Sequence, residues 1–185
     1  MLEKTICAGF GGQGVMSMGR LMAYTAMYRD LEVSWLPSYG PEMRGGTANC
    51  HVIISDTLIG SPVIAHDATS VLALNLPSME KFTGELVEGG LLIYNSSLIE
   101  KAPSRTDVRA VAVPANAIAS EVGTLKAANM VMLGAWLRLT GVLELEDVVL
   151  ALKKVFGPSK EHFVPMNETA LTRGMEAAAA VVSSV

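Results

Sequence analysis

Apolar residues along this chain fall into short β-type runs that alternate with longer runs of helical period, and helical runs alone fill the last third. Thr5–Ala8 is the first short run. Val15, Met18, Leu21, Met22 and Met27 then recur on one face of a helix that runs to about Tyr28, closed by Asp30 and Leu31. Val33–Leu36 reads as a second strand ended by Pro37. Cys50, Val52, Ile53 and Ile54 read as a third, with Leu58, Ile59, Val63 and Ile64 as its hairpin partner across a turn near Asp56–Thr57. That pairing would make the sheet mixed. Val71–Leu74, Leu91–Tyr94 and Val108–Val113 supply further strands, and Pro77 suits the first turn of a helix through Phe82. Ala115–Val122 is stopped by Gly123, Lys126–Leu139 by Gly141, and Leu145–Phe156 by Gly157 followed by Pro158; a last helix runs from Asn167 to about Val182. Strands alternating with helices, then helices alone, predict an α/β fold. It is a three-layer α/β/α sandwich with a mainly parallel, mixed sheet and a helical C-terminal part, one domain over residues 1–185.

Composition adds one point to this picture. The chain is 50% hydrophobic and 17% charged, against about 25% charged in an ordinary soluble domain. Central strands buried on both faces account for part of the shortage, and surface covered by permanent subunit contacts for the rest. The isolated chain is accordingly expected to self-associate as a homodimer. A net charge of −4 with no Lys/Arg cluster argues against nucleic acid as a partner. The opening residues M-L-E-K-T lack the order of a secretory signal, so the chain reads as cytoplasmic. Ala127–Leu139 is the most apolar stretch, but it falls short of the about 20 residues a bilayer span needs and reads as a buried helix, so no membrane association is expected.

Between the first strand and the first helix, Gly9, Gly11 and Gly14 stand at G-x-G-x-x-G spacing, with Gly12 and Gln13 between them. In such a turn the first glycine permits a sharp reversal, the second close approach of an anion, and the third close packing of helix on strand. The turn would present N–H groups at a helix N-terminus, where peptide dipoles favour negative charge. A dinucleotide site also needs an acid at the C-terminal end of the second strand; Glu32 precedes that strand, and Ser38 and Tyr39 stand where the acid should be. The loop Ser38–Asn49 holds three glycines and one proline. Within it Arg44 can grip a carboxylate or phosphate in bidentate fashion, with Gly45 and Gly46 leaving room. This loop should lie beside the glycine turn and complete an anion-binding corner; the other reading is that Glu42 and Arg44 pair with a neighbouring subunit or with each other.

Other chemistry is sparse. Cys7 and Cys50 allow neither a disulfide framework nor a cluster of four thiolates, and read as buried, reduced thiols. His51, His66 and His162 lack metal-ligand spacing, and no serine sits in G-x-S-x-G, so no catalytic residue and no metal ligand is assigned. Met16, Met18, Met22, Met27, Met130 and Met132 read as core filling. Asn95, Ser96 and Asn116 follow strands on the functional edge as weaker candidates, and Asn129 reads as a buried hydrogen-bonding group holding a loop.

Four stretches together, G-F-G-G-Q-G-V at Gly9–Val15, W-L-P-S-Y-G-P-E-M-R-G-G-T-A-N-C at Trp35–Cys50, G-S-P at Gly60–Pro62 and A-N-M-V-M-L-G at Ala128–Gly134, resemble the gamma subunit of 2-oxoacid:ferredoxin oxidoreductases. The S-Y-G-P-E-M-R-G-G block is similar to the 2-oxoglutarate or branched-chain 2-oxoisovalerate type. The resemblance implies the PFOR domain III fold and a complex that oxidatively decarboxylates a 2-oxoacid to an acyl-CoA while reducing ferredoxin. In it this chain binds no cofactor alone; thiamine diphosphate, Mg²⁺ and four-iron, four-sulfur clusters sit in partner subunits, alpha and beta with delta as a further candidate, and CoA is co-substrate. Gly9, Gly11–Gly14, Ser38, Tyr39, Glu42 and Arg44–Gly46 are then expected to bind CoA or another anion, or to dock a neighbouring subunit. Two alternatives stand beside this reading: a stand-alone dinucleotide-binding oxidoreductase, and a non-catalytic scaffolding or regulatory subunit.

Overall fold

Successive residues of the first strand are buried in two different apolar clusters, Cys7 in one and Ile6 and Ala8 in the other, so this strand must be covered on both faces. The computed structural model describes residues 1–39 and 46–183. Its six strands are β1 (Leu2–Phe10), β2 (Glu32–Tyr39), β3 (Thr47–Ser55), β4 (Ala68–Ala73), β5 (Leu86–Asn95) and β6 (Arg109–Val113). They form one sheet in the order β2-β3-β1-β4-β5-β6. β1, β4, β5 and β6 run parallel, while β3 is antiparallel to both β1 and β2. The helices are α1 (Val15–Tyr28), α2 (Leu76–Phe82), α3 (Ala115–Val122), α4 (Ala128–Thr140), α5 (Leu145–Phe156) and α6 (Val164–Ser183).

The sandwich is lopsided. α1, α3, α4, α5 and α6 bury the larger cluster on one face. On the other face the only helix among the described residues is the seven-residue α2, helped by Ile64 and Ile99 from irregular segments. α2 begins as expected, with Pro77 in its first turn and the Asn75 side chain capping Ser78 N–H at 2.9 Å. The stops at Gly123 and Gly141 are left-handed, and Gly157 also has positive φ.

Two strand expectations are overturned. β2 continues through Pro37 to Tyr39, so Ser38 and Tyr39 belong to a strand and the connecting loop is shorter than Ser38–Asn49. β2 is an edge strand, where a residue without an N–H need not break a ladder. Leu58–Ile64 forms no strand. β3 is already paired on both sides, by β1 and β2, which leaves no edge for a third partner; its reversed direction is what makes the sheet mixed.

Cys7 and Cys50 are register partners across β1 and β3, both fully buried beneath α1 and both free thiols. Trp136 of α4 is fully buried and donates from Nε1 to Ser70 Oγ at 3.0 Å, while Ser70 donates to the buried Glu3 carboxylate at 2.6 Å. α4 crosses α6 at a pair of glycines: a Cβ on Gly134 would lie 2.0 Å from the Leu171 carbonyl oxygen, and one on Gly174 2.0 Å from that of Val131. Every residue from Ala128 to Leu137 is buried. Among the described residues no helix is long and apolar enough to cross a membrane.

Candidate functional site

The parallel strands end on one edge of the sheet, and because β3 runs the other way the β2–β3 connection lies on that edge too. The glycine turn leaves β1 there. Gly12 has φ 98° and Gly14 φ 79°, left-handed values that a side chain resists. Gly9, by contrast, lies within β1, where a Cβ would come 2.9 Å from Val15 Cγ2 and 3.1 Å from Leu74 Cβ. The division of labour expected from the motif is therefore changed: Gly9 gives the close packing of helix and strand, and Gly12 and Gly14 the reversal. A Cβ on Gly14 would sit 2.5 Å from Asn129 Nδ2, and that amide donates to Gly14 O at 3.2 Å. Asn129 thus holds the turn from α4, as its burial beside a loop suggested.

The turn and the β2–β3 loop do meet. Gly11 N–H donates to Gly46 O at 2.9 Å. Glu42, Arg44 and Gly45, with the rest of residues 40–45, lie outside the described residues. Tyr39 lies level with Gly9 in the ladder through Ala48 but two strands away, about 10 Å at ordinary strand spacing. Ser38 alternates with Trp35 and so lies on the sheet face away from α1. The structure therefore groups Gly9, Gly11, Gly12, Gln13, Gly14 and Gly46, and places Ser38 apart from them.

Gln13 is a stitch rather than a free side chain. Its Oε1 accepts from Phe10 N–H at 2.6 Å and from Asn75 Nδ2 at 3.1 Å, tying the turn to the β4–α2 corner. Asn95 is likewise committed: its Oδ1 accepts from Ser97 and Ala115 N–H, each at 3.2 Å, and its Nδ2 donates to Asn116 Oδ1 at 2.9 Å. The free donors are backbone. The N–H groups of Gly12, Gly14, Val15, Met16 and Ser17 have no partner among the described residues, α1 has no side-chain cap, and its first turn has no acid. They border a cleft of about 200 Å³ lined by Gly12, Gln13, Leu74, Asn116, Leu125, Lys126 and Ala128. Lys126 supplies the only charge in that lining. In the sequence pattern Lys126 is only the first residue of the Lys126–Leu139 helix; its place here follows from the short 3-10 turn Leu125–Ala127, which hydrophobic periodicity does not signal. The cleft sits at the switch point of the sheet, where crossovers leave β1 and β4 in opposite directions, the usual ligand position in such sheets. Its chemistry is that of an anion acceptor, with neither nucleophile nor carboxylate base in the lining.

The histidines lie elsewhere. His51 is half-buried, its Nδ1 has no partner among the described residues, and burial holds its pKa below the ordinary value. His66 is exposed beside Glu85 at 3.4 Å, and the His162 ring lies tilted against Phe163 with ring centres 4.1 Å apart. Among the described residues no three of His, Cys, Asp and Glu are grouped so as to hold a metal ion, and the two cysteines of the chain are both buried in the core. This donor set does not fit a cluster of four thiolates.

Comparison with known proteins identifies the family. The family model described as pyruvate ferredoxin/flavodoxin oxidoreductase matches residues 4–177. The ketoisovalerate oxidoreductase subunit VorA of Methanothermobacter thermautotrophicus is 45% identical over 172 residues, 91% of this chain and 35% of that protein. The chain thus spans about a third of the VorA relatives it matches. The 2-oxoglutarate synthase subunit KorC of Methanocaldococcus jannaschii is 35% identical over 183 residues, 96% of this chain and 95% of that one. Among solved structures, the gamma subunit of a keto/oxoacid ferredoxin oxidoreductase from Geobacter sulfurreducens superposes with a TM-score of 0.82 at 34% identity, covering 96% of this chain and 99% of that one. A 2-oxoglutarate:ferredoxin oxidoreductase from Magnetococcus marinus, solved with 2-oxoglutarate, coenzyme A and succinyl-CoA bound, shares the fold with a TM-score of 0.87 at 24% identity, covering 97% of this chain and 31% of that one.

Proposed function

The chain belongs to the pyruvate ferredoxin/flavodoxin oxidoreductase family, and we propose that it is the gamma subunit of a 2-oxoacid:ferredoxin oxidoreductase that converts a 2-oxoacid to an acyl-CoA. The observation that carries this reading is the match to KorC over nearly the whole of both chains, joined to a site that can receive an anion but holds no nucleophile or carboxylate base. A chain of that kind contributes binding surface to a reaction carried out with other subunits. The higher identity to VorA than to KorC favours a branched-chain 2-oxoacid over 2-oxoglutarate.

In this reading alpha and beta subunits, with or without a delta subunit, hold thiamine diphosphate, Mg²⁺ and the iron–sulfur clusters. The complex works in the cytoplasm and passes its electrons to ferredoxin. The cleft beside the glycine turn receives a phosphate of CoA. The free N–H groups of Gly12 and of Gly14 to Ser17 and the Lys126 ammonium meet the negative charge, and a guanidinium such as that of Arg44 can add a bidentate contact. Reconstitution of the complex with Arg44→Ala and, separately, Lys126→Gln tests this. The Michaelis constant for CoA should rise while that for the 2-oxoacid holds. An unchanged CoA constant in a fully assembled complex sinks the ligand role and leaves the corner as a docking element.

A further inference from the structure

The solvent face of α1 presents Arg20, Tyr24, Met27 and Tyr28 at i, i+4, i+7 and i+8, one continuous stripe. This is where an ordinary surface helix carries polar residues. Tyr24 is 38% exposed, Met27 56% and Tyr28 42%, and Leu150 on the neighbouring α5 is 48% exposed. The two tyrosine rings stack with centres 6.5 Å apart at 23°, and the Lys154 ammonium of α5 lies 3.9 Å from the centre of the Tyr28 ring. Arg20, Tyr24, Tyr28, Lys154 and Val155 together line an open hollow of about 290 Å³.

The charge here is unbalanced. Among the described residues neither Arg20 nor Lys154 takes part in an ion pair, while the nearby Asp147 carboxylate is already bound by Arg29 at 2.8 Å. Tyrosine, methionine and arginine are the residues enriched where protein surfaces meet, and stacked rings lose little freedom when covered. The VorA relatives supply a candidate for cover: there the matching segment is about a third of a longer chain, so further polypeptide is joined to this domain and is at hand to cover one of its faces.

We propose that the α1–α5 face bearing Arg20, Tyr24, Tyr28 and Lys154 is a docking surface for an acidic patch on a partner subunit, one that corresponds to the remainder of those longer chains. This rests on the gamma-subunit reading. α1 rises from the glycine turn at about 1.5 Å per residue, which puts Tyr24 roughly 15 Å from the anion cleft, so a partner can sit on this face and leave the cleft open.

The test is co-expression of the chain with a tagged partner subunit, followed by retention on the affinity matrix through a salt series. The wild-type chain should be retained, with retention falling as salt rises. Arg20→Glu with Lys154→Glu should weaken retention about tenfold or more at low salt, and Arg20→Lys with Lys154→Arg should preserve it. All four residues are on the surface, so unchanged melting temperatures of the isolated variants establish that folding is intact. Equal retention of wild type and the charge-reversed variant at every salt concentration overturns the docking proposal alone. Failure of the wild-type chain to be retained overturns it together with the gamma-subunit reading. A wild-type chain that self-associates through this face, shown by a charge-reversed variant that turns monomeric in light scattering, makes a second copy the occupant and also overturns it.

Discussion

Asn129 Nδ2 donates to the carbonyl oxygen of Gly14 at 3.2 Å, across the space that a side chain on Gly14 would need. One contact thus fixes the turn and excludes its commonest perturbation. Gly14→Ala should destabilise the fold by about 2 kcal/mol or more, from left-handed backbone strain plus the clash, and Asn129→Ala by about 1–3 kcal/mol from the lost buried hydrogen bond. Because Asn129→Ala also removes the clashing amide, the double variant should cost less than the sum. Urea titration of the four proteins checks this; strict additivity would deny the contact its role.

Ser70 is the hinge of a buried polar relay. Ser70→Ala strands the Trp136 indole N–H and removes a donor from the Glu3 carboxylate at once. The expected loss is about 2–3 kcal/mol, above the usual value for one hydrogen bond, because each stranded group adds its own desolvation. A loss of unfolding free energy below about 1 kcal/mol in urea titration would show that the relay relaxes.

At the α4–α6 crossing the obstacle is backbone, which no rotamer change relieves. Gly134→Ala and Gly174→Ala should each reach or exceed the upper end of the about 1–3 kcal/mol typical of overpacking, since a Cβ at either position would lie 2.0 Å from a carbonyl oxygen. Thermal unfolding and soluble yield are the readouts, and wild-type behaviour of either variant would contradict the crossing.

Cys7 and Cys50 should resist thiol reagents. Both are buried, which keeps a reagent out even though the hydrogen bond with Cys7 lowers the Cys50 thiol, and the hydrogen bond to Cys50 together with burial pushes the Cys7 thiol well above the usual range. A raised pKa keeps the neutral thiol through ordinary pH, and the thiolate is the reactive form. Ellman's reagent should release no equivalent from the native chain and two after guanidinium is added; prompt native labelling would refute the packing of β1 on β3.

The isolated chain is expected to form a homodimer, because apolar residues such as Leu36 and Leu58 remain exposed on the sheet face that α2 covers only in part. Light scattering should give twice the 19.6 kDa chain mass, and a monodisperse monomer would refute the expectation.

Local chemistry made the helices legible and left the sheet's pairing hidden. Gly123, Gly141 and Gly157 end α3, α4 and α5 where the pattern placed the stops, because a positive-φ glycine is a signal within the chain itself. Pro37 gave the wrong sign: its effect depends on whether the strand is an edge, which is a property of the whole sheet. The Leu58–Ile64 run failed for a similar reason, since only the pairing of β3 with both β1 and β2 shows that no edge is left for it. Gly134 and Gly174 look like weak points of helices until their crossing is seen. In the candidate site the glycine turn was readable and its neighbourhood was not: Gln13 turns inward, and Lys126 enters through a 3-10 turn.

β1 is made before either strand that flanks it. Its antiparallel neighbour is complete only at Ser55 and its parallel neighbour only at Ala73, so a nascent chain carries Ile6, Cys7 and Ala8 unsheltered until both have left the ribosome. The clasp from Asn129 arrives later still. The glycine turn is thus encoded early and finished late, and a chain arrested before α4 could complete the strand order and still lack the clasp on the turn.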